Sequence, residues 1–237
     1  MKPRRSSSSA VPALLLVLAG VFSTAAQTPA PSKRKAPEGW ENDIAKFEAA
    51  DRATPPPKDA ILFLGSSSIR LWDLKTSFPD RVTINRGFGG STLPDTTHFF
   101  DRIVLPYRPR AALVYAGDND VASGSDADAV LADFKKLAAL FSEKLPGTPV
   151  IYIAIKPSVK RWAMWPVMKD ANAKIAQWCD EHEGFFFADI SRPMLETADG
   201  KPSPDIFKAD GLHLNEAGYA QWKSVIDPLL EKALAGK

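Results

Sequence analysis

Apolar residues fall into two kinds of run along this chain, and the two kinds alternate. Short unbroken runs at residues 60–64, 111–116 and 150–155 read as strands covered on both faces. Residues 81–85 form a more polar strand, and residues 185–189 a fifth. Between the runs, apolar positions recur every three or four residues, the period of a helix with one buried face. Ile44, Phe47 and Ala50 mark a first helix, stopped by Pro55, Pro56 and Pro57. Val130, Phe134, Leu137 and Phe141 mark another over residues 126–144, ended at Pro146 and Gly147. Met168, Ala171, Ile175 and Trp178 give a third face. Tyr219, Trp222 and Ile226 lie on a last helix over residues 216–234, which Pro228 is expected to kink or restart, with Asp227 as a cap. Alternating strands and helices predict an α/β fold, a five-stranded parallel sheet between two helical layers. In such sheets the site lies beyond the carboxyl ends of the strands, where the strand order reverses.

The first residues belong to a different class. Lys2, Arg4 and Arg5 precede an apolar run over residues 11–22, which ends in small residues near Thr24, Ala25 and Ala26. That is the layout of a secretory signal peptide, here residues 1–26, and the run is short for a membrane span of ~20 residues. Residues 27–39 are rich in Pro and Lys and read as a disordered leader, so residues 40–237 are expected to form a single domain. The signal carries three of the 30 basic residues and none of the 28 acidic ones, so the chain after cleavage has a net charge near −1. No basic stripe remains for nucleic acid, and no stable membrane insertion is expected after cleavage. The protein is expected to be exported, to the periplasm or beyond the cell. Its single cysteine, Cys179, lies in a helical pattern and reads as a buried, inert thiol.

Four polar, glycine-bearing segments fall at the carboxyl ends of the expected strands: Gly65-Ser66-Ser67-Ser68, "NRGFGGST" from Asn85, "AGDND" from Ala116, and "DGLHLN" from Asp210. A serine becomes a nucleophile only beside a base, and the base needs a third group to orient it. Of the three histidines, His182 reads as an exposed helix cap and His98 as a packed or exposed helical residue. His213 follows Asp210 by three residues, close enough for the carboxylate to reach Nδ1 and leave Nε2 for a serine. An Asp and a His at that spacing also arise by chance on surfaces. Gly89 and Gly90 offer backbone N–H groups to a developing oxyanion, and Asn119 a neutral amide. Each has a plainer reading as a tight turn or a helix cap.

Taken together, the blocks "FLGSSSI", "NRGFGGST", "GDND" and "DGLHLN" resemble those of the SGNH hydrolases, the GDSL esterases and lipases, over essentially all of residues 40–235. The resemblance implies a flavodoxin-like three-layer α/β/α sandwich and a carboxylic ester hydrolase. It implies Ser67 as nucleophile, with Asp210 and His213 completing a triad. It also implies an oxyanion hole from the N–H of Ser67, the N–H of Gly90 and the Asn119 amide. The family's namesake aspartate is here Ser66; Ser66 and Ser68 remain lesser candidates for the nucleophile, and Ser68 is expected to cap the following helix. No cofactor and no metal is implied. Trp162 and Trp165, in the segment after the fourth strand, are candidate substrate contacts or core cover. With no long apolar lid in the sequence, a short acyl group, acetyl above all, is expected on a small-molecule or carbohydrate ester. The rival readings are a lysophospholipase-type acylhydrolase, a non-catalytic carbohydrate-binding protein on this fold, a metal-dependent phosphoesterase built on Asp118, Asp120, Asp210 and His213, and a phosphate-cradling loop.

Overall fold

The structure, a computed structural model, describes Met1 and residues 37–236. Residues 2–26 of the expected signal peptide and residues 27–36 of the expected leader lie outside the described residues. Pro37–Trp40, which includes the last three leader residues, is a 3-10 turn. Its Trp40 is buried, edge-on to Phe88.

Five parallel strands, β1 (Ile61–Gly65), β2 (Thr83–Gly87), β3 (Ala111–Tyr115), β4 (Val150–Ile153) and β5 (Phe185–Ala188), form one sheet in the order β2-β1-β3-β4-β5. This is the strand order of a flavodoxin-like sheet, the fold the resemblance implies. β1, β3 and β4 are buried along their whole length, whereas the edge strands β2 and β5 are only partly buried, which in β2 matches its more polar sequence.

Period-2 alternation divides the core in two. Leu62, Leu64, Ala112, Val114, Val150 and Tyr152 face one layer, against the helices Glu41–Ala53, Ala127–Lys144 and Trp165–Asp180. Ile61, Phe63, Leu113, Tyr115, Ile151 and Ile153 face the other, against Ile69, Trp72 and the last helix, Glu216–Ala235. The chain leaving β1 therefore turns to one face and the chain leaving β3 to the opposite face. A crevice opens between them at the carboxyl edge.

Two local expectations fail. β2 lies two residues later than the polar pattern suggested, because its register pairs Thr83 with Ile61 and Gly87 with Gly65. The last helix runs unbroken through Pro228. The carbonyl that Pro228 leaves without a donor belongs to Ser224, on the solvent side where water can satisfy it, while Trp222, Ile226 and Leu230 pack on both sides of the proline. Asp227 does not cap a restart; it pairs with Lys223 and Arg81.

Candidate active site

β1 ends against β3 at a distance that only glycine tolerates. Gly65 has φ +127°, and a Cβ there would lie 1.9 Å from the Tyr115 carbonyl oxygen. The Ser66 N–H donates to that same oxygen at 2.9 Å, and the chain turns directly into the short helix Ser67–Arg70. Asn85 of β2 clamps the helix: its Nδ2 donates to Ile69 O at 2.7 Å, and its Oδ1 accepts from Gly87 N at 2.9 Å. From the last helix, the Tyr219 hydroxyl donates to Ser68 O at 2.8 Å. Ser67 is thus held from three sides, with its own N–H among the helix-start donors that no earlier turn can satisfy.

The structure brings Ser67 into one line with Asp210 and His213, which lie far along the chain from it. Asp210 Oδ2 lies 2.6 Å from His213 Nδ1, and His213 Nε2 lies 3.0 Å from Ser67 Oγ. Asp210 Oδ1 accepts from the N–H groups of Leu212 and His213, both at 2.9 Å, so the turn is wound around the carboxylate. The His213 side-chain bond, and next its backbone N–H, hold the Asp210 carboxyl well below the usual carboxylate range. The line is partly wet: the side chains of His213 and Asp210 are 24% and 41% exposed.

Gly90 and Asn119 line the same cleft as Ser67 and His213. Gly90 has φ +82°, with the Trp40 ring behind it. Ser91 Oγ donates to Gly65 O at 3.1 Å, and Asn119 Nδ2 donates to Ser91 O at 2.9 Å, which ties the glycine loop both to β1 and to the loop after β3.

Beneath this lies a charged cluster that the sequence reading did not find. Lys156, 1% exposed, donates to Asp118 Oδ2 at 3.0 Å, to the Tyr115 hydroxyl at 2.9 Å and to Ser68 Oγ at 3.2 Å. Arg161 Nη1 lies 3.1 Å from the same Asp118 oxygen, and its Nη2 donates to Asn119 Oδ1 at 3.0 Å. Burial alone would push the Asp118 carboxyl up, but the two cations overcome it and hold the carboxyl below its ordinary value. Among the described residues Asp120 has no such cation beside it. It accepts from Leu93 N at 3.0 Å, and burial pushes it up to about 7. The usable signal for Lys156 was its place immediately after an unbroken apolar run, at the edge of the sheet where Asp118 also lies.

Ser68 therefore caps nothing: it accepts from Lys156, and the helix already starts at Ser67. Ser66 Oγ, 0% exposed, has no hydrogen-bond partner among the described residues, and the imidazole of His213 bonds Ser67 instead. Trp162 and Trp165 stack on each other and pack on the core, and neither lines the cleft beside Ser67. His182 bonds Trp178 O at 2.7 Å at its helix end, and His98 packs edge-on to Phe99. Cys179 is buried, its thiol pushed up to about 12 by burial. Among the described residues no group of three or more His, Cys, Asp or Glu side chains is arranged to hold a metal, and no helix is long and apolar enough to cross a membrane.

Ser67 and His213 open on a cleft of about 390 Å³. Its walls are mostly charged or amide-bearing: Asp43, Arg70, Arg161 and Asn119, with Gly89 and Gly90. Leu212 is the one large apolar side chain among the described residues lining it.

Comparisons with known proteins bear on this arrangement. A sequence model described as "GDSL-like Lipase/Acylhydrolase family" matches residues 70–221. No curated protein matches the sequence. Solved structures share the fold: a GDSL-like lipase from Bacteroides thetaiotaomicron at 20% identity (TM-score 0.69, 81% of this chain and 98% of that one), and a carbohydrate esterase family 3 from Talaromyces cellulolyticus at 19% (TM-score 0.59, 75% and 99%). An acetyl esterase mutant with an acetate ion is also 19% identical (TM-score 0.59, 75% and 98%).

Proposed function

Since this chain belongs to the GDSL-like lipase/acylhydrolase family and is a carboxylic ester hydrolase, we propose that it is an exported serine esterase that removes short acyl groups, acetyl above all, from small-molecule or carbohydrate esters. The observation that carries the catalytic part is the unbroken line from Asp210 through His213 to Ser67, with links of 2.6 and 3.0 Å. Ser67 Oγ attacks the ester carbonyl while His213 Nε2 takes its proton, and Asp210 fixes the imidazole tautomer and steadies the imidazolium. The tetrahedral oxyanion is received by the N–H groups of Ser67 and Gly90 and by Asn119 Nδ2, which has a second hydrogen beyond the one given to Ser91. His213 then protonates the leaving alcohol, and water repeats the cycle on the acyl-enzyme.

The cleft supports the short-acyl part. A long acyl chain gains its affinity from apolar surface removed from water, and these walls offer Leu212 and little else. Two structures that share the fold carry the names carbohydrate esterase and acetyl esterase, in line with this substrate class. Export rests on the sequence of residues 1–26 alone.

A fluorophosphonate probe should label the wild-type protein and not Ser67→Ala, which should lose ~10⁶-fold in kcat on p-nitrophenyl acetate. Wild-type turnover by Ser67→Ala would overturn the triad. A series of p-nitrophenyl esters from C2 to C12 should peak at the short end; the highest kcat/KM above C8 would overturn the acyl preference.

A further inference from the structure

Asn119 is not free to turn. Its Nδ2 gives one hydrogen to Ser91 O at 2.9 Å, and its Oδ1 takes a hydrogen from Arg161 Nη2 at 3.0 Å. The guanidinium is itself held by Asp118, 3.1 Å from Nη1. The Arg161 N–H reaches Ser158 Oγ at 3.3 Å, which steadies the backbone from which the side chain extends. An amide held at its oxygen by a cation has a more strongly polarised N–H, and a hydrogen bond from a charged donor is about twice as strong as a neutral one. Asp118 faces two cations, Lys156 and Arg161, so the trio holds one positive charge more than it cancels. Arg161 lies at the upper edge of that trio, beside the place where negative charge would develop.

We propose that Arg161 is a positioning residue for the oxyanion hole: bridging Asp118 and Asn119 Oδ1, it locks the orientation of the Asn119 amide and polarises the Nδ2–H that receives the oxyanion. The inference rests on the catalytic reading given under Proposed function. Arg161 acts through Asn119 and need not touch the substrate. Its influence therefore belongs to the transition state, where charge appears on the carbonyl oxygen, and not to substrate binding.

The test is a double-mutant cycle on p-nitrophenyl acetate with wild type, Arg161→Gln, Asn119→Ala and the double variant. With Asn119 present, Arg161→Gln should lower kcat about 10- to 100-fold, the effect of losing one charge-assisted hydrogen bond, with KM changed less than about twofold. With Asn119→Ala already in place, the same change should cost less than about threefold. Arg161→Lys keeps the charge without the two-pronged fork and should recover part of the lost kcat. Equal losses in both backgrounds would overturn the proposal, as would an unchanged kcat, or a raised KM with kcat intact, which would mark Arg161 as a substrate contact. Should Arg161→Gln not fold, the same cycle with Arg161→Lys decides on the same criterion. Turnover by Ser67→Ala would bring down the triad reading; an inactive Ser67→Ala with an additive cycle would bring down the role of Arg161 alone.

Discussion

Two charged groups border the same cleft and are built in opposite ways. The Asp210–His213 pair is local in sequence, wound into one turn and partly open to water. The Asp118–Lys156–Arg161 cluster joins two distant loops and is nearly closed to water. An exposed pair contributes little to stability but can move protons, since solvent and substrate reach it. A buried trio can move nothing cheaply, because breaking any member leaves a charge without its partner in a poorly solvated interior. On the catalytic reading proposed above, the reacting groups form the wet pair and the frame that aims them is the dry cluster.

This division can be broken from either side. The largest effect is expected from Asp210→Asn, which should lower kcat by ~10³–10⁴ through the wrong imidazole tautomer while thermal unfolding stays within about 2 °C of wild type. A melting temperature that fell with the activity would place Asp210 in the frame instead. Next is Lys156→Met, which leaves Asp118 with one cation and removes the bonds to Tyr115 and Ser68. It should destabilise the protein by about 3 kcal/mol, a drop of roughly 6–12 °C for a chain of this size. Unchanged melting would show the buried cluster to be dispensable.

Two carboxyls near the cleft, Asp120 two residues from the buried Asp118 and Asp210 in the wet pair, should also respond to pH with opposite sign. Folding raises the Asp120 carboxyl to about 7, so the folded state holds a proton that the unfolded chain, titrating near 3.9, has already lost. Its contribution is present below the unfolded value and is lost as pH rises toward 7. Asp210 is depressed by folding, so its contribution is present above the unfolded value and lost as pH falls below it. Relative to wild type, Asp120→Asn should therefore gain stability between about pH 4 and 7; a difference that is flat over that range would count against a raised Asp120. The smallest effect is expected from Tyr219→Phe, which loses the bond to Ser68 O. It should cost about 1 kcal/mol and change kcat less than about threefold.

The sequence made one side of this comparison far easier to read than the other. Asp210 and His213 lie three residues apart, and Ser67, Gly90 and Asn119 follow strands whose unbroken apolar runs show where the carboxyl edge must be. The buried cluster has no such local pattern. In the run Lys156-Pro-Ser-Val-Lys160-Arg161, three cations look equally solvated, and only the packed sheet decides that Lys156 points inward. The tryptophans that follow drew attention as binding residues because aromatic side chains on a loop suit both a ligand and a core. Here Trp165 is in the core, and Trp162 stacks on it. Pro228 misled for a related reason: local propensity argues for a break, but packing on either side keeps the helix continuous.

The stretch from Ala154 to Arg161 has a further significance for protein engineering. Lys156 reaches Ser68 and Asp118, the Lys160 N–H donates to Gly211 O at 3.0 Å, and Arg161 reaches Asn119. Recombining this stretch as a cassette from a relative, to import a new preference, would disturb the fastenings of three cleft-lining segments at once. Directed-evolution libraries aimed at selectivity belong instead at Asp43 and Arg70, which line the cleft and belong neither to the proposed triad nor to its proposed oxyanion donors.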